Sequence, residues 1–162
     1  MNNINLCDVK YDDLDFFCFD YCGLAKILDI YDGDTCTLVF PYLGKLCKYR
    51  ARLARIDCSE LIKGEISGIN ARNYFLKLVL NRELESVEID KLSHKNCRDY
   101  IKGLLSENKR LNMIKIYGFD KYGRLLVDIH IDDSQSSTLI NNILVDQGWA
   151  WGTTLSPKTP SR

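Results

Sequence analysis

LAKILDIYDGDTCTLVFPYLGKLCKYRARLARIDCSE, residues 24–60, is the stretch whose reading decides the fold. It divides into three extended runs, 24–31, 35–42 and 46–56, each rich in Ile, Leu, Val and Tyr. Such side chains suit a pleated, half-buried surface. Asp32-Gly33-Asp34 and Leu43-Gly44 separate the runs with tight-turn chemistry, so three strands follow one another directly.

Outward from these strands, Ala71, Tyr74, Phe75, Leu78 and Val79 recur at helical spacing, which predicts a helix over 67–82 with one apolar stripe facing a core. A short strand is expected at 86–89, then a polar, mixed stretch over about 90–112 that reads as an insertion, with a helix near 96–105. A hairpin follows, 113–119 and 125–131, around Asp120-Lys121-Tyr122-Gly123. The last helix is expected over 138–147, with Ser136 or Ser137 as its N-cap and Gly148 as its stop. Three strands, a helix, a hairpin and a helix make an α+β chain compatible with a five-stranded OB barrel carrying packed helices.

The domain reading is therefore an acidic, aromatic extension over 1–22, a barrel domain over 23–152, and a flexible tail over 153–162. At 162 residues the chain fits one domain. It has 22 basic and 22 acidic residues, but they are unevenly placed. Residues 1–22 hold five acids and one base. Between Pro41 and Ile56 lie Lys45, Lys48, Arg50, Arg52 and Arg55 with no acid at all. That is a local positive field of the kind phosphate chains seek, although charge alone favours an ordinary solvated strand face. No stretch approaches the roughly 18 apolar residues needed to cross a bilayer. The start lacks the basic and apolar regions of a signal peptide. Seven cysteines without pairing rhythm read as reduced thiols, so an intracellular, cytoplasmic location is expected.

Four segments carry candidate chemistry: Asp32-Gly33-Asp34-Thr35, Arg52-x-x-x-x-Asp57-x-x-Glu60, Asp120-Lys121-Tyr122-Gly123-Arg124, and Gln147-Gly148-Trp149-Ala150. Each has an ordinary explanation when taken alone. Asp-Gly is a common turn pair, Asp57 and Glu60 suit a wet loop, and Arg52 and Arg124 suit strand surfaces. His94 and His130 have no ligand spacing, and Cys18-x-x-x-Cys22 has no second pair for zinc.

Together, in order and spacing from about Leu24 to Ala150, the segments resemble the staphylococcal nuclease (thermonuclease) family. The resemblance implies an OB barrel with helices packed on it, and hydrolysis of phosphodiester bonds in DNA or RNA to 3′-phosphate ends. It implies Ca²⁺ held by Asp34, Asp57 and the backbone carbonyl of Cys58, with Asp32 as a nearby acid. Hard oxygen donors in a loose cage suit that ion. By the same resemblance Glu60 is the general base for the attacking water, and Arg52 and Arg124 grip the phosphate as planar forks. Lys121 and Tyr122 resemble residues that contact a terminal phosphate of bound nucleotide.

Where the family has Thr-Pro between its aspartate and glutamate, this chain has Cys58-Ser59, so a restraint on the loop holding Glu60 is missing. A tyrosine that the family places after the last helix has no match, because the chain there reads Trp151-Gly152-Thr153-Thr154. Expected partners are a nucleic-acid substrate, no membrane, and a protein that could dock on residues 1–22. The expected state is a monomer. The rival reading is an inactive OB-fold module of the same family that binds nucleic acid or peptides; the presence of Asp34, Arg52, Asp57, Glu60 and Arg124 together favours the enzyme.

Overall fold

The computed structural model describes residues 5–62, 65–94 and 97–153. Strands β1 (Tyr21–Ile30), β2 (Thr35–Tyr42), β3 (Lys45–Leu53), β5 (Asn112–Phe119) and β6 (Leu125–Ile129) close into a barrel in the order β1-β2-β3-β6-β5, with β5 returning to β1. All pairs are antiparallel except β3 with β6. The expected α+β architecture, a five-stranded barrel with packed helices, is the one observed.

Alternation along the strands fills the barrel. Ile27, Leu38, Phe40, Ala51, Leu53, Ile114, Ile116, Leu125 and Val127 point inward and are almost fully buried. Helix α1 (Ser67–Leu80) covers one side with Ala71, Phe75, Leu76 and Val79, and ends at Asn81 in the left-handed conformation. Helix α3 (Arg98–Glu107) and helix α4 (Ile140–Asp146) add Ile101, Leu105, Ile140 and Leu144. The segment before β1 forms two short 3-10 turns and then reaches the barrel end, where Phe19 meets Tyr42 at 4.9 Å and Phe119 at 6.0 Å between ring centroids. Among the described residues no helix is long and apolar enough to cross a membrane.

Three local expectations are corrected. The third run does not continue unbroken to residue 56. Arg55 has φ +63°, so the chain breaks after Leu53 and resumes as β4 (Ile56–Cys58), which pairs with β7 (Ala150–Gly152). The expected strand at 86–89 is helical, α2 (Ser86–Lys91). Its first turn is satisfied by a reciprocal Glu85/Glu88 cap, and Arg82 grips the Glu88 carboxylate with two bonds of 2.7 and 2.8 Å. The final helix starts at Ile140 rather than 138. Ser137 instead donates to the Ser134 carbonyl in the preceding turn, at 2.8 Å. Asn141 anchors that helix, accepting from Ile129 N and donating to the carbonyls of Ala54 and Val127.

The Arg82 fork and the Glu85 amide hold the Glu88 carboxyl down at about 2, against an ordinary 4.5. A depressed carboxylate stabilises the fold above its unfolded pKa, and that contribution fades as pH falls from 4.5 toward 2. Glu88→Gln should therefore cost about 1–2 kcal/mol at neutral pH, limited by the half-exposed Arg82. Urea unfolding at neutral pH and near the acid end of that window checks this. The gap between variant and parent should shrink in acid, and an equal gap at both would refute the ion pair as its source.

Candidate active site

The turn between β1 and β2 sits under α1. A Cβ on Gly33 would come within 2.8 Å of both Ala71 Cβ and Cys58 Sγ, so only glycine lets the turn tuck between the helix and β4. The Asp32 carboxylate caps the turn by accepting from Asp34 N at 3.1 Å. Asp34 is thereby carried inside, 3% exposed, and its carbonyl accepts from Leu53 N at the end of β3.

A buried carboxylate needs partners. Asp34 Oδ1 accepts from the Thr35 hydroxyl at 2.9 Å, and Oδ2 accepts from Cys58 N at 3.2 Å and faces Arg52 Nη1 at 3.3 Å. The other arm of the guanidinium, Nη2, donates to Asp57 Oδ1 at 3.2 Å and to the Ile56 carbonyl at 3.3 Å. One planar fork thus joins the turn, β3 and β4. Burial pulls the Arg52 pKa down, but Asp34 and Asp57 outweigh it and hold the group above its ordinary value.

Burial and the neighbouring Asp34 charge push the Asp32 carboxyl up to about 7. Near neutral pH this site is short of positive charge. Among the described residues Asp34 and Asp57 share the one Arg52 guanidinium, and Asp32, raised to about 7, adds a partly ionised third acid. Ligand atoms of Asp32, Asp34 and Cys58 lie within 4.8 Å of one another. Burial and then the nearby acids push the Cys58 thiol up, while Asp32 and Asp34 offer carboxylate oxygens.

The remaining candidate residues flank this cluster. Glu60 is exposed, two residues beyond β4, and its side chain makes no hydrogen bond or ion pair among the described residues. Its backbone is closely held. The Glu60 carbonyl accepts from Ile62 N at 3.0 Å, and a Cβ on Gly68 would lie 2.1 Å from that carbonyl oxygen. Gly68 in the first turn of α1 is therefore what allows the Glu60 loop to lie against the helix. The sequence reading missed it, although a glycine in a helix, where it costs about 1 kcal/mol relative to alanine, was a usable signal.

Arg124 stands apart from the acids but on the same barrel face. Leu125 pairs with Ala51 and Leu126 with Arg52, so strand alternation brings Arg124 and Arg52 to the outer surface together. Arg124 Nε donates to Asp120 Oδ2 at 2.7 Å, which fixes the plane of the guanidinium and leaves both Nη groups unpartnered among the described residues. Burial pushes the Asp120 carboxyl up, but the amides of Arg124 and Tyr122 and the Arg124 guanidinium hold it below its ordinary value. Tyr122 is exposed, with Lys121 and Arg124 over its ring at 5.1 and 5.3 Å. Trp149 packs on Tyr74 with centroids 5.6 Å apart, while Trp151 is exposed on β7.

A family model described as staphylococcal nuclease homologue matches residues 50–161, more than half of the chain. The match begins after the Asp32-Gly33-Asp34 turn and includes Arg52, Asp57, Glu60 and Arg124. No curated protein matches the chain. With a closed five-stranded barrel, packed helices and that match, the chain belongs to the staphylococcal nuclease homologue family.

Proposed function

We propose that the protein is a calcium-dependent nuclease that hydrolyses phosphodiester bonds of DNA or RNA and leaves 3′-phosphate ends. The observation that carries the reading is the single Arg52 fork spanning Asp34 and Asp57, with a third acid, Asp32, beside them. Among the described residues Asp34 and Asp57 exceed the Arg52 guanidinium by one negative charge, and the partly ionised Asp32 adds to that excess, which a bound cation offsets. The donors are hard oxygens, Asp34, Asp57 and the Cys58 carbonyl, which fits calcium better than a thiophilic metal. When bound, calcium supplies positive charge to the phosphate oxygens.

The chain's own residues do the rest. Glu60, free of any partner among the described residues, takes a proton from the attacking water as its oxygen bonds to phosphorus. The P–O5′ bond breaks, the 3′-phosphate stays on the upstream fragment, and the departing oxygen is protonated by solvent. Arg52 and Arg124 face the phosphate from neighbouring strands and take up the charge that grows on its oxygens. Arg124 is held for this by Asp120 through Nε alone. Lys121 and Tyr122, exposed beside it, contact a terminal phosphate.

A fluorogenic oligonucleotide assay with calcium, with a chelator and with Glu60→Gln tests the proposal. Hydrolysis is expected only in the parent with calcium. Equal signal in all three would leave a binding module of the same family.

Gly68 gives a second measurement. In Gly68→Ala the new methyl cannot coexist with the Glu60 carbonyl, so the loop shifts and kcat should fall by about 10–100-fold, as misplacements near 1 Å do. Gly103→Ala in α3 is the control, because a Cβ there meets nothing within 4 Å. Equal kcat in the two variants would remove Gly68 from the positioning of Glu60.

A further inference from the structure

Beyond the acids and forks, the basic strand itself has a geometry that the reaction does not use. On β3 the inward residues Ala51 and Leu53 are buried, so Lys48, Arg50 and Arg52 share the outer face. Lys48 and Arg50 are exposed, and Arg52 descends into the site with its side chain 13% exposed. Their cross-strand neighbours on β2 are Val39, Thr37 and Thr35, all short and uncharged. No acid occurs between Pro41 and Ile56.

Arg52, Arg55, Arg82, Arg98 and Arg124 each pair with a carboxylate. Among the described residues Lys48 and Arg50 pair with none, although they adjoin a site rich in carboxylates. Keeping two like charges side by side on a strand face without counter-charge is unfavourable by itself. Binding an anion of matching spacing reverses that.

We propose that Lys48 and Arg50 form a phosphate rail with Arg52, binding successive phosphates of one nucleic-acid strand and leading it into the site. The proposal rests on the nuclease reading for its ligand and goes beyond it in assigning two binding residues and a path. Residues two apart on a strand are about 6.6–6.8 Å apart, so three cations offer a straight row that one backbone can follow phosphate by phosphate. The ligand is a single strand rather than a duplex. Arg52 lies recessed while Lys48 and Arg50 stand in solvent, so the chain must bend locally into the site. A lone strand does this freely, whereas a duplex must deform. Both rail side chains are long and mobile, which suits sequence-independent contact with phosphates.

The test uses the full chain carrying Glu60→Gln, so that bound strand is not cut. Fluorescence anisotropy with a labelled oligothymidylate in calcium gives the affinity over a salt series. For single strands, each phosphate contact contributes about 0.7 to the slope of log K against log salt. Lys48→Gln/Arg50→Gln should make the slope shallower by about 1.4, two contacts' worth. Lys109→Gln/Arg110→Gln removes the same charge from a connection before β5 and should leave the slope at the parent value.

An unchanged slope in the rail variant, or an equal change in the control, overturns the rail. Duplex binding as tight as single-strand binding overturns the choice of ligand. A parent that binds the strand with the expected slope but does not hydrolyse it with calcium sinks the nuclease reading and leaves the rail standing. Hydrolysis by the parent together with an unmoved slope in the rail variant does the reverse.

Discussion

Glu60→Gln lowers kcat by about 10²–10⁴-fold, the range that a positioned general base contributes. The substitution keeps the size and the backbone of the residue and removes only the capacity to accept a proton. Nothing in the fold depends on that carboxylate, since it is exposed and makes no bond among the described residues. The loop is held through the Glu60 carbonyl, by Ile62 N and by close approach to Gly68. Thermal stability should therefore stay within about 0.5 kcal/mol of the parent. Strand affinity should stay within a few-fold, because the rail and both arginines are untouched. The loss should appear in kcat and leave KM nearly alone, the pattern of an interaction made only in the transition state. A variant within tenfold of the parent rate would place the base elsewhere.

Arg52→Gln has two separable effects. The first is on rate. Removing a preorganised donor from a developing oxyanion typically costs about 10²–10³-fold, and Arg52 supplies charge as well as geometry. The second is on stability. Asp34 has 4% of its side chain exposed, and its one ion pair among the described residues is with Arg52. Taking one partner from a buried pair costs about 3–5 kcal/mol, because the other charge stays buried without compensation. Asp57 adds little, being 42% exposed.

Calcium should restore part of that stability, since a cation held by Asp34 and Asp57 favours the folded state in proportion to its occupancy. The predicted signature is a Tm deficit in Arg52→Gln that is large in chelator and smaller in calcium. An identical deficit under both conditions would show that these acids do not share a cation.

Arg52 therefore has a double place in the structure. Without metal it is the counter-charge that makes a buried Asp34 tolerable, and in the proposed reaction it is a phosphate clamp. The same fork holds β4 to β3 through the Ile56 carbonyl across the break at Arg55. That break gives the site its shape. It turns Asp57 off the barrel wall and pairs its segment with β7, so that the acid lies beside Arg52 instead of continuing along the sheet.

The strands, the first helix and the turn residues were readable locally because each depends on a short-range rule. Inward and outward positions alternate with period two, an apolar stripe recurs near 3.6, and Asp-Gly or Leu-Gly pairs mark turns. Order and spacing of the acidic and basic residues carried the family resemblance, and the fold followed from it. Tertiary structure decided the rest. Residues 86–89 became helical because Arg82 and Glu85 satisfy Glu88, a side-chain arrangement that four alternating polar and apolar residues do not encode. The pairing of β4 with residues 150–152 and of Arg52 with Asp34 joins segments distant along the chain, while the break after β3, the Arg52–Asp57 pair and the seat of Glu60 on Gly68 depend on loop shapes set by the packed barrel. Neither kind leaves a period in the sequence, because its cost and gain depend on what the folded barrel brings alongside.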